Sequence, residues 1–163
     1  MNLYCTELAF SMPDEKQIGD NGTLSQLREG LSRVIEESSS SFSGTGLVIL
    51  EEGETIANFP MISLPEIYYK RPVFEALKEI SLKSSPYHDG FHILDAKLNA
   101  IQFCAFLSPS IDEKLLPDVS IFNFSGSRGY TAYFSSLIPE VRYTAIASQS
   151  GSIRIFARGR EIT

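Results

Sequence analysis

Apolar and polar positions divide the chain into alternating helical and extended stretches. Leu24, Leu27, Leu31, Val34 and Ile35 recur at helical spacing, the mark of a helix with one apolar face. Thr23, followed by Gln26, has the form of a capping box, so the pattern predicts a helix over about 23–37. The serine-rich "EESSSSFSGTG" (36–46) ends that periodicity and predicts a connector into a first strand. The apolar run Leu47 to Leu50, a turn near Gly53 and a second run through Ile56 and Phe59 predict a hairpin. "SLPEIYYKRPVFEALKEISLKSS" predicts a helix broken before Pro72, with Phe74, Leu77 and Ile80 inward and Lys83 near its end.

Further on, "FHIL" and "AIQFCAFL" flank "DAKLN" and predict another hairpin. "SPSIDEKLLPDVSIFNFSG" is irregular, with a single turn expected at 112–116, and "SGSRGYTAYFSSLI" predicts a helix starting after Gly126. "RYTAIASQSGSIRIFARG" predicts two strands around Gly151, whereas residues 1–22, with "PDEKQIGDNG", read as an exposed loop. No internal repeat is present. The alternation predicts a mixed α/β (α+β) domain, a central mixed sheet flanked by helices. It divides into an N-terminal segment, 1–43, and a main unit, 44–163.

Composition narrows the function classes. The chain has 163 residues, 43% hydrophobic and 21% charged, which suits one soluble domain with a real core. A net charge of −6 and a pI near 4.9 argue against polynucleotide binding, which needs a basic face. A small anion such as a nucleotide is still allowed, because one cation or a helix N-terminus can hold phosphate inside an acidic protein. No apolar run reaches the roughly 18 residues that span a bilayer, and "MNLYCTELAF" has no basic lead. The expectation is a cytoplasmic protein without a membrane span. Cys5 and Cys104 make neither a disulfide framework nor a metal spacing, and Cys104 in "IQFCAF" reads as a small buried hydrophobe.

Three stretches could carry chemistry. In "SSPYHDGFHIL" (84–94), Asp89 stands just ahead of a strand and Gly90 permits close approach, a placement suited to magnesium or manganese bound with phosphates. His88 and His92 would complete an H-D-x-x-H set, but in a strand those residues span about 13 Å, too far for one zinc ion. The plain alternative is an Asp-Gly turn entering a buried strand. In "SGSRGY" (125–130), Gly126, Ser127 and Gly129 would free backbone N–H groups at a helix start, and Arg128 adds a planar cation. This is no Walker sequence, and the alternative is a serine-capped helix with an exposed arginine. In "ASQSGS" (147–152), Ser148 and Gln149 lie at a strand end. No Ser-His-Asp or Cys-His set can be assembled, and no nucleophile elbow is present.

Read in order, "GTGLVIL", "SPYHDGFHIL", "CAFLSPS", "GSRGY" and "ASQSGSIRIFARGREI" resemble the diadenylate cyclase domain. That family's corresponding stretches look like "GTGALIVIE", "SPLHDGAVI", "CFLPLS", "GTRHRAA" and "VSEETGSISVARNGEL". The resemblance covers about residues 44–162. It implies a domain that binds ATP with a divalent metal and, paired face to face with a second copy, joins two ATP into cyclic di-AMP. Residue by residue, Asp89 and Gly90 match D-G-A, and His88 matches the histidine often found before it. Gly126, Ser127 and Arg128 match G-T-R, and Ser148 matches the serine of S-E-E.

The departures fall where charge matters. The alanine of D-G-A is Phe91, the H-R of R-H-R is Gly129-Tyr130, and the acid after Ser148 is Gln149. Phosphoryl transfer depends on positioned cations and metals. The resemblance therefore implies a catalytically degenerate member that binds ATP or a related adenine nucleotide as a sensor. Its pocket would be formed by Asp89 (also the metal ligand), Gly90, Gly126, Ser127, Arg128 and Ser148, with Phe91 or Tyr130 stacking on the base. Two alternatives stay open: an active cyclase using Asp89 with magnesium or manganese, and a non-catalytic interaction module docking a partner through Leu27 and Leu31.

Overall fold

The structure, a computed structural model, describes residues 21–112 and 126–162. Its centre is a seven-stranded mixed sheet in the order β2-β4-β3-β1-β5-β6-β7. The strands are β1 (Thr45–Leu50), β2 (Phe59–Pro60), β3 (Phe91–Leu94), β4 (Ala100–Phe106), β5 (Val141–Ala147), β6 (Ile153–Ala157) and β7 (Arg160–Ile162). Only β1 and β3 pair in parallel; the other neighbours are antiparallel. Helices α1 (Asn21–Ser38), α2 (Glu66–Tyr69) and α3 (Val73–Ile80) precede β3, and α4 (Ser127–Ser135) precedes β5.

Every residue of β1 is buried, which is why its apolar run is unbroken rather than alternating: helices cover it on both faces. Leu47 and Ile49 point into a core layer with Leu27, Leu31 and Val34 of α1, Ala76, Leu77 and Ile80 of α3, and Leu94, Phe103 and Ala145 of the sheet. Val48 and Leu50 point the other way, among Phe91, Ile93, Ala105 and, on α4, Ala132, Tyr133 and Phe134. One sheet is thus packed between α1 and α3 on one side and α4 on the other.

Most of the expected elements are present: the helix around 23–37, the break at Pro72, the 91–106 hairpin, the helix after Gly126 and the strands around Gly151. Three expectations need correction. The hairpin of 47–59 does not form. The chain does turn after Leu50, where Glu54 N–H donates to the Glu51 carbonyl at 3.1 Å. β1, however, is a central strand, and β2 pairs instead with β4 at the sheet edge. A run buried on both faces needs neighbours on both sides, and the polar stretch 51–55 carries the chain away from it.

Helix α1 starts at Asn21, so Thr23 lies within its first turn rather than at its cap. Most importantly for function, Leu27, Leu31 and Val34 are each 0% exposed. The stripe offered for docking a partner is consumed by the protein's own core. Strand β7, not anticipated, extends the sheet beyond β6, and the turn expected at 112–116 lies largely outside the described residues.

Candidate functional site

Because β1 and β3 are parallel and β5 runs antiparallel to β1, the starts of β1 and β3 and the end of β5 share one end of the sheet. The N-terminus of α4 joins them there. Gly44, Asp89, Arg128 and the 147–149 segment, scattered over about a hundred positions, are thereby gathered at one edge.

Arg128 fixes the geometry. A Cβ placed on Gly44 would lie 2.8 Å from Arg128 Nη1, 3.0 Å from the Ala147 carbonyl oxygen and 3.6 Å from the Gln149 nitrogen. The guanidinium therefore lies against the bare backbone of Gly44, beside the end of β5. Gly44 has φ +94°, a conformation that also favours glycine. Half-burial lowers the Arg128 pKa, and the Asp89 carboxylate acts in the opposite direction. Asp89 itself presents 71% of its side chain to solvent. The pair makes a site with one cation set into its floor and one carboxylate at its rim.

Asp89 is aimed by an irregularity in the sheet. Between β3 and β4 the register slips, from Phe91↔Ala105 to Ile93↔Gln102, and Cys104 adopts φ 54°, the signature of a bulge. The displaced β4 backbone presses on Gly90, where a Cβ would meet the Ala105 oxygen at 2.8 Å and the Cys104 carbonyl carbon at 3.1 Å. Gly90 has φ +87°. Its place after Asp89 is thus required twice, by the turn and by the neighbouring strand.

Gly126, with φ +96°, is the residue before α4, and among the described residues no side-chain hydrogen bond caps that helix end. Ser127 is exposed, Arg128 half-buried, Gly129 buried and Tyr130 40% exposed. Ser148 occupies the β5–β6 turn, where its Oγ lies 2.7 Å from the hydroxyls of both Ser150 and Ser152. Gln149 is exposed. This turn carries hydroxyls and an amide and no carboxylate.

Phe91 corrects an expectation. It is only 5% exposed, and its ring fills the space above Gly46, whose added Cβ would lie 2.7 Å from Phe91 Cε1. It supports the site from within the core and offers no free face to a base. Tyr130 is the exposed aromatic of the expected pair.

The two histidines separate. Half-buried His88 lies 3.7 Å from Asp89 through Nε2, while its Nδ1 meets the Ser85 carbonyl. His92 is wholly buried on the α1–α3 face; burial first, then the positive charge of Arg128, lowers its pKa to about 3, so it stays neutral. The H-D-x-x-H set is not assembled, and among the described residues no three His, Cys, Asp or Glu side chains come together as a metal group.

Burial, aided by Asp89, raises the Cys104 pKa to about 11, and its thiol donates to the Tyr87 carbonyl at 3.0 Å. That is a structural cysteine rather than a nucleophile. A groove of about 430 Å³ lies away from Asp89 and Arg128, between α4, residues 55–57 and residues 107–112. It is lined mainly by apolar side chains, among them Ile56, Leu107, Phe134 and Leu137, and holds none of the expected site residues. Among the described residues no helix is long and apolar enough to cross a membrane.

The arrangement is that of the diadenylate cyclase fold. A double-mutant form of DacA from Staphylococcus aureus superposes with a TM-score of 0.54 at 19% identity, over 86% of this chain and 84% of that one. No family model matches the sequence. No curated protein matches it either. The likeness is therefore one of fold. Gly44 lies inside "GTGLVIL", but the sequence alone does not mark it as the residue that receives the arginine. Its signal was a glycine flanked by serine and threonine just before a buried run, which only the strand order connects to Arg128.

Proposed function

We propose that the chain is a nucleotide-binding domain of the diadenylate cyclase fold that holds ATP or a related adenine nucleotide with little or no turnover, as a sensor of that nucleotide or of a signal made from it. The observation that carries this reading is the seat of Arg128, whose guanidinium rests on Gly44 beside the β5 end and near Asp89. A planar cation set against bare backbone is preorganised for phosphate oxygens. The N-terminus of α4, beginning at Gly126 and Ser127, adds backbone N–H groups and the positive end of the helix dipole. Gly90 holds the turn that presents Asp89, Ser148 supplies a hydroxyl from the β5–β6 turn, and exposed Tyr130 can stack on a base.

The reading without turnover rests on the donor set. Among the described residues Asp89 is the carboxylate at this end of the sheet, and Gln149, Ser150 and Ser152 add no charge. Magnesium or manganese fits this site only as a shared ion, held by Asp89 with nucleotide phosphates and water; when bound, it would neutralise phosphate charge. Cyclase chemistry also needs a second domain presenting its own ATP, so an active enzyme would have to form a homo-oligomer. The retained Asp89 is the feature that favours that alternative.

The test is to incubate the protein with ATP and manganese, search for cyclic di-AMP by mass spectrometry, and follow thermal stability with ATP, ADP, AMP and cyclic dinucleotides. A saturable stabilisation without product is the expected result. Product that disappears in Asp89→Asn would replace this reading with the cyclase.

A further inference from the structure

Beneath the site, three buried polar atoms have no hydrogen-bond partner among the described residues: Thr45 Oγ1, His92 Nε2 and Ser81 Oγ. Their residues are exposed by 1%, 0% and 1% respectively. Buried polar groups are nearly always satisfied, by protein or by ordered water. Such atoms call for a partner that the surrounding side chains and backbone do not supply.

The register brings two of them together. In the parallel pairing His92 stands opposite Leu47. Thr45 is two residues before Leu47 on the same strand, so it projects from the same face. Leu47 belongs to the α1–α3 layer, with Phe103 and Cys104 from the strand on the other side of β3. Thr45 and His92 are thus diagonal neighbours on adjacent strands, roughly 7–8 Å apart by strand geometry, and no direct bond joins Thr45 Oγ1 to His92 Nε2. Ser81, the cap residue after α3, accepts the Ser43 N–H at its carbonyl (2.9 Å), which holds it beside the chain two residues before Thr45.

The tautomer of His92 follows from its neighbours. Cys104 N–H donates to His92 Nδ1 at 3.2 Å, so Nδ1 is the acceptor and a neutral ring carries its proton on Nε2. That proton is a buried donor in search of an acceptor, and the Phe103 ring beside it, 5.5 Å away between centroids, supplies none of hydrogen-bonding quality.

We propose that one internal water molecule sits between β1 and β3 on the α1–α3 face, accepting from His92 Nε2–H and bonding the Thr45 hydroxyl, with the Ser81 hydroxyl as its third partner. Three bonds are the ordinary complement of a buried water. The water ties the start of β1, just after Gly44, to the start of β3, just after Gly90. Thr45 and His92 become positioning residues: they set the spacing of the two loops that carry the Arg128 seat and Asp89. This inference requires no particular ligand and stands whether or not a nucleotide binds.

The test is NMR on the wild-type chain with nitrogen-labelled histidine. The expected result is His92 in the Nε2–H form, its ring proton protected from bulk exchange and showing a cross-peak to a long-lived water. The Nδ1–H form, or an Nε2 proton without a water cross-peak, would overturn the proposal.

A double-mutant cycle gives an independent reading. Thr45→Val and His92→Leu should be strongly non-additive, the double variant unfolding at a temperature no lower than that of the worse single one. Thr45→Ser should keep the water signal and the amide shifts of Gly44 and Gly90, which Thr45→Val moves together. Additive losses, or Gly44 and Gly90 shifts that ignore Thr45→Val, would refute the bridge.

Discussion

Replacing Gly90 by alanine probes the point where the sheet and the site meet. Two costs add at this position. The backbone has φ +87°, and a side chain in the left-handed region costs about 1–2 kcal/mol. The new methyl would also lie 2.8 Å from the Ala105 oxygen and 3.1 Å from the Cys104 carbonyl carbon. Both atoms are backbone of a paired strand, which cannot swing aside as a side chain would, and overpacking of this kind costs about 1–3 kcal/mol. The expected loss is about 2–5 kcal/mol, or roughly 4–20 °C in Tm for a chain of this size.

Gly53→Ala is the matched control: its φ is +78°, and nothing lies within 4 Å of the added Cβ. It should lose only the backbone share, about 1–2 kcal/mol. Urea unfolding followed by circular dichroism measures both. If the two variants lose the same stability, the pressure of the bulged β4 backbone on Gly90 is not real, and the account of how Asp89 is aimed fails with it.

Acid should destabilise the protein through His92. Its pKa is about 3 folded against 6.5 ordinarily, so the unfolded chain binds the extra proton first and stability falls as pH drops from about 6.5 towards 3. The slope reaches about 1.4 kcal/mol per pH unit, and urea titrations at successive pH values should show it shrinking in His92→Leu. An unchanged acid slope in that variant would contradict the burial of a neutral imidazole. Phe91→Ala should open a cavity above Gly46 and cost about 3–5 kcal/mol, measured by the same unfolding assay. A loss under about 1 kcal/mol would place the ring outside the core and restore it as a stacking surface.

Much of this architecture is legible in the order of residues, for identifiable reasons. The α1 stripe and the 91–106 hairpin follow from local periodicity and turn chemistry, which need no knowledge of distant partners. The false hairpin at 47–59 shows where such reasoning ends. An apolar run followed by a turn signals a strand reversal, yet β1 finds its neighbours about forty and a hundred residues away. The same separation hid Gly44. Arg128 and Asp89 could be singled out by residue type, but the seat between them exists only once parallel β1–β3 pairing closes that end of the sheet. Phe91 failed for another reason: alternation predicts that it projects from a strand, not which face α4 covers. His92 reads as a candidate ligand from its neighbours in sequence, and the fold turns it inward as a neutral core residue.

The most direct test of the central claim is the affinity of the chain for ATP by titration calorimetry, wild type against Arg128→Ala. Charge-assisted hydrogen bonds contribute about 1.5–3 kcal/mol each, so the wild type should bind saturably and Arg128→Ala should bind about 10-fold to 100-fold more weakly, with both proteins equally folded. Equal affinity in the two proteins, or no binding by the wild type, would contradict the assignment of this sheet end as a nucleotide site.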